Sequence, residues 1–296
     1  MVGGPPSCAD AEAVTLVCLD IPSRSFHLAG VLIDVHAHFL HERTPRQDWR
    51  ERNASRLRAG ERVGITWHVA SVLGTWGLRS PIYFPSAEDV TLANEVQRRI
   101  QQEHPDRVRG YVLVNPNYTA HAIGEIDRGR TAGMIGVKLA ASRRADDPLL
   151  DPVCEHAERH HLPVLQHIWQ HRRRDFPGQE ASDAVELVGL ARRHARVAFI
   201  LAHIGGGGDW LHSLRAVRHV PNVHVDLSGS GVDGGMLEAC LQAVGTERLL
   251  WGCDLTIDTG WAKLRYLERI LPAADLELIR SGNALRIFPE GSFPEA

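Results

Sequence analysis

Residues 32–39 read LIDVHAHF. Apolar and polar residues alternating with period two mark a strand that lies on a core. This run closes on His36 and His38, so both imidazoles leave a regular strand on one face. The alternation predicts Asp34, His36 and His38 on the inner side, with Ile33, Val35 and Ala37 toward outer helices. Further along, other polar residues end similar runs. Lys138 lies in GVKLAAS, His167 in PVLQHI, His203 in FILAHIGGGG and Asp254 in LLWGCDL. Single polar residues at the ends of successive apolar strands are how a (β/α)8 barrel presents its chemistry.

Working outward, strand-like runs over 31–38, 65–73, 108–114, 134–139, 164–168, 197–203, 223–228 and 249–254 alternate with helical stretches. The segment 86–103 opens on Ser-Ala-Glu-Asp, a cap with acids in the first turn. Residues 49–59 are Arg-rich and predict a helix or a lid-like insertion. Two helices are expected near the end, over 261–270 and 274–279. Eight strands alternating with helices predict a parallel sheet closed into a TIM barrel. The barrel is expected over residues 29–296, preceded by an extension over 1–28 that carries one β-like run at 14–19.

A chain of 296 residues suits one such barrel, which typically needs about 250. Hydrophobic residues at 44% and charged residues at 23% are ordinary for a globular protein. The net charge of −3 gives no reason to expect nucleic acid or an anionic membrane as partner. No apolar run approaches the roughly 20 residues of a spanning helix. The N-terminus lacks the basic start and apolar core of a secretory signal. Five cysteines without framework spacing predict free thiols and a cytoplasmic location. A homo-oligomer is compatible with this composition.

Taken singly, each polar residue is ambiguous. With 17 histidines in the chain, about one His-X-His pair is expected by chance. A pair pointing into a barrel nevertheless needs a partner for its polar atoms, and one divalent ion can serve both rings. Asp254 on a buried strand is costly unless a metal or a cation compensates it, and Lys138 poses the same problem with opposite charge. The glycines at 205–208 allow either a tight turn or a backbone cradle for a carboxylate. Arg172, Arg173 and Arg174 on the fifth-strand loop form either a carboxylate-attracting cluster or a solvated face. Trp67, His68, Trp76 and Trp169 either line an aromatic pocket or cap the barrel.

The segments IDVHAHF, ANEVQRRIQQEHPDRVRGYVLVNP, GVKLAAS, DDPLLDPVCEHAERHHLPVLQHI, FILAHIGG, NVHVDLSGS, LLWGCD and GNALRIF follow one another over about residues 31–288. In that order they resemble the amidohydrolase superfamily, in the amidohydrolase-2 branch that includes aminocarboxymuconate-semialdehyde decarboxylase. The resemblance implies His36, His38, His167 and Asp254 as metal ligands. It implies His203 as the residue that positions or deprotonates a metal-bound water, with Asp254 bonded to that water. Lys138 matches a fourth-strand lysine that is carboxylated in two-ion relatives; in one-ion relatives it is free to bind a substrate carboxylate. One ion is expected here. Ala140 stands where relatives often carry His-Pro after Lys-Leu.

Three neutral imidazoles and one carboxylate around Zn2+ leave a charge near +1 and a position for water. Zinc so placed lowers the pKa of water from about 15.7 to about 7. These expectations describe a hydrolase acting on a C–N or C–O bond of a small carboxylated molecule, with Lys138, Trp169 and Arg172 near the substrate. A nonoxidative decarboxylase of a cyclic or unsaturated acid uses the same site, and a non-catalytic ligand-binding relative is the third reading.

Overall fold

Buried apolar residues recur in each of the short runs between helical stretches, and these runs pair in chain order. β1 (Ile33–His38), β2 (Trp67–Ser71), β3 (Val108–Val114), β4 (Gly136–Leu139), β5 (Val164–Gln166), β6 (Phe199–Leu201), β7 (Val223–Asp226) and β8 (Leu249–Leu250) form one eight-stranded parallel sheet. β8 returns to β1 through Val35 N to Trp251 O at 3.1 Å and Asp254 N to His36 O at 2.6 Å, which closes the barrel. The structure, a computed structural model, describes residues 30–42, 47–72, 80–81, 83–171, 178–231 and 234–294. The expected extension over 1–28, Trp76 and Arg172–174 lie outside the described residues.

Helices cover the sheet: α1 (Trp49–Val63), α2 (Ala87–Glu103), α3 (Thr119–Thr131), α4 (Asp151–Arg159), α5 (Ala184–Arg193), α6 (Trp210–Val217), α7 (Met236–Val244) and α8 (Ile257–Ile270). The short α9 (Ala273–Glu277) and α10 (Asn283–Ile287) follow. Ser86 caps α2 by accepting from Asp89 N at 3.2 Å, as the local sequence predicts. Residues 49–59 belong to the 15-residue α1, so they form an ordinary barrel helix. No helix among the described residues is long and apolar enough to cross a membrane.

Two apolar layers hold the barrel. Val112, Val137, Val164, Phe199, Val225 and Leu249 face outward and pack with the helices. Ile33, Val35, Trp67, Val69, Tyr111, Leu165, Ile200 and Leu250 fill the interior with Ala284, Phe288 and Phe293 from the chain end. Trp67 therefore packs within this interior layer, its ring 6.0 Å from Phe293, and not in an open aromatic pocket.

The interior layer corrects the alternation expected for β1. Asp34 pairs in register with His68, and Ala37 with Ala70, so three steps on β1 match two on β2. One extra residue makes a β-bulge, which resets the alternation. Ile33 and Val35 face the interior, and Asp34 turns outward toward α1. After the bulge His36 and His38 turn inward, and Ala37 packs outward with Ala93 and Val96 of α2. His68 also faces out, its Nδ1 2.9 Å from Asp34 Oδ2 and its ring against Gly60 of α1.

Candidate metal centre

Strand ends bring the polar residues together at the C-terminal mouth of the barrel. His36 Nδ1 lies 2.7 Å from Asp226 Oδ2. His38 Nδ1 lies 2.8 Å from the Ser71 carbonyl. A carboxylate and a carbonyl only accept, so each Nδ1 carries its ring proton. Each Nε2 then carries its lone pair, and that of His36 faces the Lys138 Nζ at 3.3 Å. The two Nε2 atoms face one another at 3.1 Å. Asp254 Oδ1 stands 3.3 Å from His38 Nε2 and 3.9 Å from His36 Nε2. Three electron-rich atoms converging in a buried site repel one another, and a cation among them turns repulsion into coordination. Imidazoles with a carboxylate suit a divalent transition ion.

Asp254 reaches this position from a left-handed backbone, with φ of 53°, and His203 does the same at 42°. Burial raises the Asp254 carboxyl, but the neighbouring imidazoles of His38, His36 and His203 outweigh it and hold the group well below its usual range. Burial lowers His38, and the negative charge of the nearby Asp254 carboxylate works against that fall.

His203 stacks on His36 with ring centroids 5.7 Å apart, and its Nε2 lies 3.1 Å from His167 Nδ1. Burial brings His203 down to about 4 and His167 well below the usual histidine value. Both rings are neutral at ordinary pH. His167 Nε2 and His203 Nδ1 are buried nitrogens with no hydrogen-bond partner among the described residues. His167 stands outside the tight trio of His36, His38 and Asp254, whose ligand atoms lie within 4.8 Å of one another. Its ring packs on Trp169 at 4.5 Å, and Trp169 packs on Tyr83 at 5.3 Å.

Lys138 is wholly buried, its Nζ 3.3 Å from His36 Nε2. Burial lowers its ammonium to about 8, while Asp254 and Asp226 resist the fall. Asp34 is on the other side of β1, so a Lys138–Asp34 pair does not form.

The glycines at 205–208 serve close packing. The Gly205 amide donates to Ser228 O at 3.1 Å and the Gly206 amide to His203 O at 2.8 Å. A Cβ on Gly205 would stand 2.6 Å from Lys263 Nζ and 2.9 Å from the Gly231 carbonyl. These contacts make a turn pressed against the seventh-strand loop. Lys263 Nζ in turn donates to the carbonyls of Leu227 at 2.9 Å and Gly229 at 2.6 Å.

Two buried carboxylates support the centre: Asp226, which the strand pattern did not single out, and Asp34, which stands on the outer side of β1 and not on the expected inner side. Asp226 ends β7, accepts the His36 Nδ1 proton, and takes the His203 amide at 3.0 Å and the Ser228 amide at 2.9 Å. The signal was present in NVHVDLSGS, an acid closing an apolar strand just as Asp254 does. Asp34 accepts from His36 N at 3.2 Å, Cys253 N at 2.9 Å, His68 Nδ1 at 2.9 Å and Arg56 Nη2 at 3.0 Å. Arg56 of α1 also gives Nη1 to the Asp254 carbonyl at 2.7 Å. At the bulge the Asp34 carboxylate accepts the His36 amide.

No curated protein matches the chain at a significant level. Solved structures do match it. Against 5-carboxyvanillate decarboxylase from Sphingomonas paucimobilis the TM-score is 0.67 at 20% identity, covering 87% of this chain and 98% of that one. A dihydroxybenzoic acid decarboxylase from a Polaromonas species, with bound manganese and the inhibitor 2-nitroresorcinol, gives 0.65 at 18% identity, covering 87% and 96%. The 4-oxalomesaconate hydratase of Rhodopseudomonas palustris gives 0.62 at 16% identity, covering 88% and 96%. At these identities the likeness establishes the barrel. The family model for amidohydrolases of the second type matches residues 33–289, from the first barrel strand to just beyond α10. With that span matched, the chain belongs to the amidohydrolase family.

Proposed function

We propose that this chain is a hydrolase that uses one divalent ion to cleave a C–N or C–O bond of a small carboxylated molecule. The observation that carries this reading is the convergence of His36 Nε2, His38 Nε2 and Asp254 Oδ1, three ligand atoms, beside a neutral His203 ring. His36, His38, Asp254 and His167 would hold the ion, His167 through its unpartnered Nε2. When bound, such an ion acidifies water and polarises a carbonyl. His203 takes up a proton and relays it. Burial holds its imidazole neutral, so it has a lone pair to take up a proton, although burial and added positive charge nearby both lower its basicity. Asp254 accepts a hydrogen bond from the attacking water. The Lys138 ammonium draws the substrate carboxylate toward the centre, and Trp169 supplies a flat apolar wall beside His167. Arg172, outside the described residues, is proposed to attract an anionic substrate by its charge.

Decarboxylation is the second reading. It is favoured by the likeness to two decarboxylases at TM-scores of 0.67 and 0.65. That chemistry must deliver a proton to carbon, and neutral His203 and His167 supply no acid for it, which leaves Lys138 as donor. The test uses metal-loaded protein in 18O-labelled water with small carboxylated amides and lactones, and in parallel with hydroxylated aromatic acids. Incorporation of 18O without CO2 supports the hydrolase. CO2 release without 18O overturns it in favour of the lyase.

A further inference from the structure

A second cluster of ligand-type side chains lies on the outside of the barrel, between α3 and α4. His156 and His160 are four residues apart, so the end of α4 presents them on one face. Their ring centroids are 4.8 Å apart. Asp127 of α3 reaches across, its Oδ1 2.8 Å from His156 Nε2 and 4.0 Å from His160 Nε2. One ligand atom from each of the three lies within 4.8 Å of the other two. Asp127 is half exposed and His160 29% exposed, so water can complete a coordination shell.

We propose that Asp127, His156 and His160 form a surface site for a divalent transition ion, of the zinc or copper type, that ties α3 to α4. Two imidazoles and one carboxylate are the donors such ions take, and the set is poor for magnesium or calcium, which prefer all-oxygen shells. The site rests on no part of the functional reading above. It lies where α4 ends, beside the start of β5, whereas the barrel centre is built at the far ends of the strands.

Electrostatics set its strength. Arg159 Nη2 donates to His156 Nδ1 at 2.8 Å. That bond places the His156 ring proton on Nε2, where it is given to Asp127. An ion takes the place of that proton, which moves to Nδ1 with no net release, and the exposed Arg159 swings away. Arg159 therefore guards the site. Removing it should tighten binding, which a simple Asp127–His156 hydrogen bond does not predict.

The site changes how metal counts are read. A second ion per chain would come from the surface, without any carboxylation of Lys138. The test titrates Zn2+ into the intact protein whose barrel centre is already loaded, and follows heat and thermal midpoint. Wild type should take up one weaker ion and melt higher with it. His156→Ala/His160→Ala should lose that ion and keep its activity. His160→Ala alone, at the helix end, serves if the double variant folds poorly. Arg159→Ala should bind the second ion several-fold more tightly. Unchanged uptake in both histidine variants, absence of a second ion in wild type, or no gain from Arg159→Ala overturns the proposal.

Discussion

His36 Nδ1 and Asp226 Oδ2 stand 2.7 Å apart, with both side chains almost wholly out of water. The contact ties the end of β7 to the end of β1 and fixes which His36 nitrogen faces the centre. Carboxylates behind metal-binding imidazoles set tautomer and basicity in this way. Asp226→Asn should weaken divalent-ion affinity by about 10- to 100-fold, read by chelator competition, with the fold intact. An unchanged affinity would mean that His36 is oriented without Asp226.

Asp34 and Arg56 form the buried pair on the outer side of the same strand, at 3.0 Å. Burial raises the Asp34 carboxyl, but His68 and Arg56 hold it below its ordinary value. Breaking a buried pair strands a charge, so Asp34→Asn should cost about 3–5 kcal/mol in urea unfolding. Loss below about 1 kcal/mol would place the pair among weak surface contacts.

Lys138 and His203 separate by kinetics. His203→Asn should keep the ion while kcat falls by about 10²–10⁴. Lys138→Ala should keep metal content and raise KM for a carboxylated substrate. Loss of an ion in Lys138→Ala, restored by bicarbonate or acetate, would instead point to a carboxylated lysine bridging two ions.

Buried histidines make the metal-free protein acid-sensitive. Burial lowers His224 to about 3, with Arg286 and Arg248 acting in the same sense. The unfolded chain therefore binds a proton between about pH 6.5 and 3 that the folded chain does not. Stability is complete above pH 6.5 and falls toward acid, by up to about 1.4 kcal/mol per pH unit for this proton. His224→Gln should flatten the slope by that amount in urea titrations across pH 4–6. An identical slope would show that His224 is protonated in the fold.

Much of this was legible in the chain because strand ends punctuate it. Apolar runs closing on His38, Lys138, His203 and Asp254 placed the barrel and the order of its polar residues. What escaped was local. A bulge of one residue in β1 cannot be read from alternation, because LIDVHAHF is regular in sequence while its backbone is not. Alternation therefore puts Asp34 inward, whereas it faces α1 and braces His36 from behind. Asp226 looked like any strand-end acid until its contact with His36, 190 residues away in sequence, was in view. The glycines after His203 read first as a tight turn and second as a cradle, and the atoms of Lys263 and Gly231 against Gly205 bear out the turn.

The most direct test is metal content after dialysis against a mild chelator, compared across ligand variants. The account predicts one tightly held divalent ion per chain in wild type and in His156→Ala/His160→Ala. It predicts loss of that ion in His36→Ala and in Asp254→Ala. A tight ion that survives combined replacement of His36, His38 and Asp254 by alanine would contradict it.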